Sequence, residues 1–253
     1  MSTVARHPGA VDDAERQARC ELAAAFRIAD HLGWQEGMGN HFSMVVPGHD
    51  NHILINPYGL LWEEITASDL VVIDTDGNHV AGERKVDSTA RWIHAMCHKA
   101  HPEAKVILHT HAPWSTAFTM AEGSVFEFSH QTTMRFYGKI AYDREYHGPG
   151  DNKDEGARLA SMLGEGNIAL FLAAHGVITA GPSVAAALYS MFAIETCCRR
   201  QALAKQFGDK LFQIDPEICA AGAKRHEGTS FNARAFLDAH LRRLDRTSPD
   251  FRD

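Results

Sequence analysis

Apolar positions recur along the chain at two periods, and the alternation between them predicts a mixed α/β protein. Leu22, Phe26 and Ala29 fall at helical spacing behind Asp12-Asp13, which suit a helix cap, and Gly33 suits the helix end. His41 to Val46 and His52 to Asn56 read as paired strands around a loop at Pro47 to Asn51, and Val71 to Asp74 and His79 to Ala81 flank an Asp76-Gly77 turn. Ile93, Met96 and Cys97 stripe a helix over Ala90 to Lys99, capped by Asp87 or Ser88. Val106 to His111 is a short buried strand bounded by Pro113, which opens a helix whose Trp114 and Phe118 face the sheet. Phe126 to Tyr142 alternates weakly and reads as one or two strands broken at Gly138. Asp143 to Asp154 is the longest loop, either a cover for a site or a solvated connection, and a helix follows from Asp154 to Leu163. Ile168 to His175 reads as a strand that ends at Gly176. Ser183 then caps a long helix through Phe207 with Ala187, Met191, Ile194 and Cys198 on one face, and Phe231 to Leu244 is a terminal helix.

Nothing between Leu22 and Leu244 reads as a linker, so residues 13–253 form one domain behind a disordered arm at 1–12. With 25 basic and 32 acidic residues the chain is mildly acidic, and nucleic acid is not an expected partner. Met1 to Val11 lacks a signal-type apolar core and the longest apolar run, Ile168 to Ala174, is too short for a bilayer, so no membrane association and a cytoplasmic location are expected. Five cysteines without a Cys-x-x-Cys spacing fit a reduced compartment. Cys197-Cys198 reads as one packed and one flanking residue, and Glu195 with Arg199 as a surface pair.

The chemistry gathers on His109-Thr110-His111. A strand's period of two puts both imidazoles on one face, and His175 at the end of a second apolar strand supplies a third nitrogen. Three neutral imidazoles on rigid strands suit one divalent metal ion, Zn first, with Mn or Fe as alternatives, and leave positions open for substrate. With sixteen histidines in the chain, the pair alone reads equally as two hydrogen-bonded core residues. His94 and His98, four apart on a helix, also have a metal spacing, but no third donor completes it.

Around these histidines stand Gly39-Asn40-His41-Phe42-Ser43, Ile55-Asn56-Pro57-Tyr58-Gly59, Ile65-Thr66-Ala67-Ser68-Asp69-Leu70, His101-Pro102-Glu103 and Ala174-His175-Gly176. In this order and spacing, over about residues 20 to 205, the chain resembles the class II aldolase/adducin family. The resemblance implies a three-layer α/β/α sandwich around a mostly antiparallel central sheet, assembled as a homotetramer with sites at subunit interfaces. It implies His109, His111 and His175 as metal ligands. Substrate contacts are implied at the Asn40 and Tyr58-Gly59 turns, where aldolases hold a phosphate, and at the hydroxyl pair Ser88-Thr89. The turns read equally as places where glycine and asparagine serve the backbone alone. A proton donor supplied by the neighbouring subunit maps by count onto His130, with Tyr142 as a second catalytic candidate and Arg135 as a contact for an anionic substrate.

The resemblance fails at one place. The family carboxylate, nineteen residues before the first metal histidine, falls on Ala90; Asp87 and Glu83 are the nearest substitutes. A metal on three neutral ligands attracts a bidentate anion such as a 2-oxo or 2-hydroxy acid. The expected function is therefore a metal-dependent carbon–carbon lyase acting by retro-aldol cleavage or decarboxylation on a small oxo- or hydroxy-acid. Loss of the carboxylate tilts toward decarboxylation, and Tyr58, in place of a small hydroxyl residue, tilts away from sugar phosphates. The alternatives are a three-histidine Fe(II) oxygenase and a non-catalytic adducin-like interaction domain.

Overall fold

The computed structural model describes residues 12–227 and 230–253. The expected N-terminal arm falls outside them apart from Asp12, whose side chain accepts the Glu15 N–H at 2.7 Å and caps α1 (Asp13–His31). Eight strands, β1 (His41–Val46), β2 (His49–Ile55), β3 (Val71–Asp74), β4 (His79–Ala81), β5 (Val106–Thr110), β6 (Ile140–Asp143), β7 (Ala169–Leu172) and β8 (Gly176–Gly181), form one sheet in the order β4-β3-β2-β1-β5-β8-β7-β6. Its pairings are antiparallel except for the parallel edge pair β6–β7.

The alternation of side chains splits the interior into two layers, as a sheet covered on both faces requires. Phe42, Leu54, Val72, Leu108 and Val177 pack with Leu22 and Phe26 of α1 and with Met191 and Ile194 of α5 (Val184–Ala204). On the other face Ile107, Leu170 and Ile178 meet Ile93 and Met96 of α2 (Ser88–Ala100) and Leu159 and Leu163 of α4 (Lys153–Leu163). Helix α4 lies so close to α2 that a Cβ at Gly156 would sit 2.5 Å from the Trp92 carbonyl oxygen. The sandwich is completed by α3 (Pro113–Met120), α6 (Pro216–Glu227) and α7 (Ser230–Thr247).

Several elements depart from the sequence reading. Strand β2 begins at His49, three residues early, because Pro47-Gly48 alone makes the turn and Val46 pairs with His49 across a bulge. The stretch Phe126 to Tyr142 holds only β6 and a 3-10 turn at Gln131–Phe136, and its aromatics wedge the core edge, with Phe126 and Phe136 both fully buried. Helix α6 had no counterpart in the apolar pattern. Cys197 and Cys198 are both buried and free, and burial pushes the Cys197 thiol up to about 12, so neither is poised for redox chemistry.

Glu195 is a buried structural anion rather than a surface partner of Arg199. Its two carboxylate oxygens accept the Trp114 and Ser115 N–H groups at 2.7 and 2.8 Å. Ala112 in the N-cap position of α3 provides no side-chain acceptor, so Glu195 closes that helix from across the layer. Glu195→Ala is expected to destabilise the protein by about 2 kcal/mol, since two N–H groups lose a charged acceptor. A denaturant midpoint unchanged from the parent would refute that role.

Candidate metal centre

His109 is the penultimate residue of β5 and His111 lies just past the strand, while His175 sits in the turn from β7 to β8 rather than at a strand end. That turn is tight. Ala174, not Gly176, takes the left-handed conformation, at φ 51°. Gly176 is needed instead for proximity, because a Cβ there would lie 2.5 Å from the Thr110 carbonyl oxygen and 2.8 Å from the His111 ring. The missing side chain is what lets the β7–β8 turn press His175 against the β5 pair.

The three rings form a nearly equilateral triangle, with centroids 5.0 Å (109 to 111), 4.8 Å (109 to 175) and 4.7 Å (111 to 175) apart. Nε2 of His109 and Nε2 of His111 are 3.1 Å apart, and one nitrogen from each of the three lies within 4.8 Å of the others. The His111 Nδ1–H donates to the carboxylate of Glu36, which leaves Nε2 with its lone pair facing inward. His109 is buried, with Nδ1 unpartnered. Burial, and then the neighbouring imidazoles, hold His109 well below the ordinary histidine range, and burial followed by His111 lowers His175 to about 4. Neutral nitrogens converging at this spacing fit a divalent cation of Zn, Mn or Fe type. Among the described residues this is the group of three or more such donors that meets the geometry.

Glu36 was absent from the sequence reading. It supplies a carboxylate to the site through an imidazole instead of directly, an arrangement that orients a ligand ring and raises its basicity. Ala90 is buried at the start of α2 and brings no charge. Asp87 does not enter the triangle; it caps α2, accepting from Thr89 N at 2.8 Å and from Thr89 Oγ1 at 2.5 Å.

Beside the triangle runs a buried polar chain. His41 pairs with His109 across β1 and β5, and their rings lie 4.9 Å apart. His41 Nδ1 meets His94 Nε2 at 2.8 Å, His94 Nδ1 meets Ser43 Oγ at 2.5 Å, Ser43 Oγ meets His98 Nε2 at 2.7 Å, and His98 Nδ1 meets the Ala104 carbonyl at 2.9 Å. Burial lowers His41 and His98 to about 3 and His94 well below its ordinary value, so each ring is neutral and carries one hydrogen. The carbonyl can only accept, which fixes every tautomer in turn: His98 donates from Nδ1, Ser43 donates to His98, His94 donates from Nδ1 and His41 donates from Nδ1. His41 Nε2 is left as an acceptor, 3.3 Å from Thr89 Oγ1. The nitrogens of His94 and His98 are thus committed to hydrogen bonds and not to a second metal site.

The remaining candidates fall in three places. Asn40, at φ 72°, fits the backbone reading of its turn, and its Oδ1 accepts the His111 N–H. With Tyr58 and Thr89 it lines a pocket of about 270 Å³, whereas Ser88 and Gly59 lie outside the lining. Tyr142 packs flat on Phe171 at 5.6 Å with its hydroxyl accepting Phe126 N–H, and burial raises its pKa. Arg135 lies over the Tyr189 ring at 4.6 Å, against α5. His130 is exposed, caps the 3-10 turn and lies 3.4 Å from Arg200, with no contact to the triangle within the chain. The loop after β6 borders His175, bringing the exposed Tyr146 ring to 6.4 Å from it.

A family model for the Class II Aldolase and Adducin N-terminal domain matches residues 20–202. An aldolase II superfamily protein from Pseudomonas syringae superposes with a TM-score of 0.87 at 32% identity, covering 96% of this chain and 98% of that one. The L-fuculose 1-phosphate aldolase from Glaciozyma antarctica gives a TM-score of 0.84 at 25% identity over 98% and 97% of the two chains. Alpha-adducin of Rattus norvegicus is 33% identical over 213 residues, which span 82% of this chain and 29% of adducin.

Two outcomes are expected from this geometry. Glu36→Gln keeps an oxygen near His111 but removes the charge, and zinc affinity measured by chelator competition should fall about tenfold with unchanged circular dichroism; equal affinity would mean that the carboxylate carries no weight there. Metal-free protein should lose stability on acidification. The depressed histidines bind fewer protons folded than unfolded, so their stabilisation is complete above pH 6.5 and declines by about 1.4 kcal/mol per histidine for each pH unit below it. Denaturation midpoints that stay flat between pH 7.5 and pH 5 would contradict the burial of neutral imidazoles.

Proposed function

Because the chain belongs to the class II aldolase and adducin family, we propose that it is a metal-dependent lyase that breaks a carbon–carbon bond in a small oxo- or hydroxy-acid. The observation that carries this reading is the convergence of one nitrogen each from His109, His111 and His175 within 4.8 Å. A divalent cation bound there, zinc before manganese or iron, supplies Lewis acidity toward a carbonyl or carboxylate oxygen.

The chain's own residues set the rest. Asn40 and Glu36 hold His111 by its backbone N–H and its Nδ1, so the ring cannot turn away from the centre. With Ala90 apolar, no carboxylate stands at that position to take a proton from a substrate hydroxyl. This favours decarboxylation, which needs no such base, over retro-aldol cleavage. In both reactions the bond that breaks joins the carbon next to a carbonyl to the departing group, so its electrons pass toward the carbonyl oxygen, CO₂ or an aldehyde leaves, and the carbon left behind takes a proton. His130, exposed and set against Arg200, fits a donor delivered to a second copy, as in a homotetramer with shared sites.

The similarity to alpha-adducin over most of this chain favours a second reading, a non-catalytic interaction domain. Elemental analysis separates the two. Protein purified without added metal should carry about one divalent ion per chain and His109→Ala essentially none, and the loaded parent should release CO₂ or an aldehyde from a panel of 2-oxo acids whose fourth carbon is a carboxylate or carries a hydroxyl. Equal, near-zero metal in both samples would favour the interaction domain, and oxygen uptake with a 2-oxo acid would move the chemistry to an oxygenase.

A further inference from the structure

We infer that the pocket beside the three histidines receives a hydroxyl-bearing end of the substrate and rejects a phosphate. This deepens the lyase reading and rests on it for the other end of the molecule, the acid group held near His109, His111 and His175.

The pocket, about 270 Å³, is lined by Asn40, His41, Asn56, Tyr58, Asp87 and Thr89 among others, and no lysine or arginine is among the described residues that line it. The start of α2 opens onto it, and free amides at a helix N-terminus are a ready seat for an anion. Here the seat is already filled from within. The Asp87 carboxylate accepts from the Thr89 and Ala90 amides and from Thr89 Oγ1. Burial alone would raise the Asp87 pKa, but these hydrogen bonds outweigh it and keep the group ionised. A phosphate entering the pocket meets that charge and finds no lysine or arginine in the lining to offset it.

The same side chains ask for a different group. Thr89 has one hydroxyl hydrogen, and at 2.5 Å it goes to Asp87, so His41 Nε2, 3.3 Å from the same oxygen, is an acceptor without a donor. His41 is only 5% exposed, and its tautomer is fixed by the chain that ends on the Ala104 carbonyl. Asn40 presents the opposite need. Its Oδ1 is taken by the His111 N–H, which orients the amide, and its Nδ2 is buried without a partner. One lining residue lacks a donor and its neighbour lacks an acceptor. A hydroxyl is both at once, an ammonium group cannot accept, and an ionised phosphate cannot donate.

The test is calorimetric titration of the full-length, zinc-loaded protein with glycolate, erythronate and 4-phosphoerythronate. Erythronate should bind about tenfold tighter than glycolate, the worth of a hydrogen bond to a buried group, and 4-phosphoerythronate no tighter than glycolate. Asp87→Asn preserves a helix-capping side chain while removing the charge, and should improve 4-phosphoerythronate about tenfold at unchanged zinc content. A phosphorylated acid that binds the parent more tightly than erythronate, or erythronate no better than glycolate, overturns the inference and leaves the lyase reading standing. Zinc-loaded protein that binds none of the three overturns both.

Discussion

Most of the site depends on the register between β1 and β5. Their antiparallel pairing sets His41 opposite His109 and Ser43 opposite Ile107, and the strand period then sends His41, Ser43 and His109 to the sheet face covered by α2. A slip of one residue would turn all of them into the layer packed with α1 and α5 and bring Phe42 and Leu108 out in their place. The register is held by that apolar set: Phe42 lies between Phe26 at 4.6 Å and Trp62 at 4.8 Å, and Leu108 is fully buried with them. Chemistry on one face is thus fixed by hydrophobic packing on the other.

That arrangement carries a penalty, since the face under α2 holds three imidazoles and a hydroxyl away from water. Buried polar groups are tolerable when each is bonded. The linear run from His41 through His94 and Ser43 to His98 achieves this, ending on the Ala104 carbonyl just before β5. Only the end at the pocket is left open. Two of the orphaned buried atoms, Asn40 Nδ2 and His109 Nδ1, lie at or next to it, while others such as Trp62 Nε1 and Thr116 Oγ1 lie elsewhere in the fold.

The parts legible in the sequence are those whose signal is local. The His-x-His pair combines a ligand type with a strand period, and β1, β3, β4 and the Asp12 cap follow from pattern and turn chemistry within a few residues. What escaped is set by partners distant in sequence. Glu36 lies in an irregular turn and gains its meaning only from a histidine 75 positions later. Glu195 caps a helix 80 positions earlier, so its i,i+4 spacing to Arg199 misleads. The Phe126 to Tyr142 aromatics alternate because they wedge into a core edge, not because they pair in a sheet. His94 and His98 show metal spacing, and it takes Ser43, from another strand, to show that their nitrogens are already engaged.

The placement of carboxylates is the last consequence of this geometry. At Ala90 an acid could compete with substrate for the cation or act on it as a base. The Glu36 carboxylate instead bonds His111, one group removed from the centre, and that of Asp87 bonds the start of α2, farther out. A dication on three neutral imidazoles keeps most of its charge and its open positions. Glu36 offsets part of that charge through a ring without occupying a coordination site. With a cation bound there, the balance would favour a chelating anion at the three histidines and disfavour a second anionic group beside Asp87, so under the proposed reading one displaced carboxylate and one buried cap together would divide the substrate into an acidic end and a hydroxylated one.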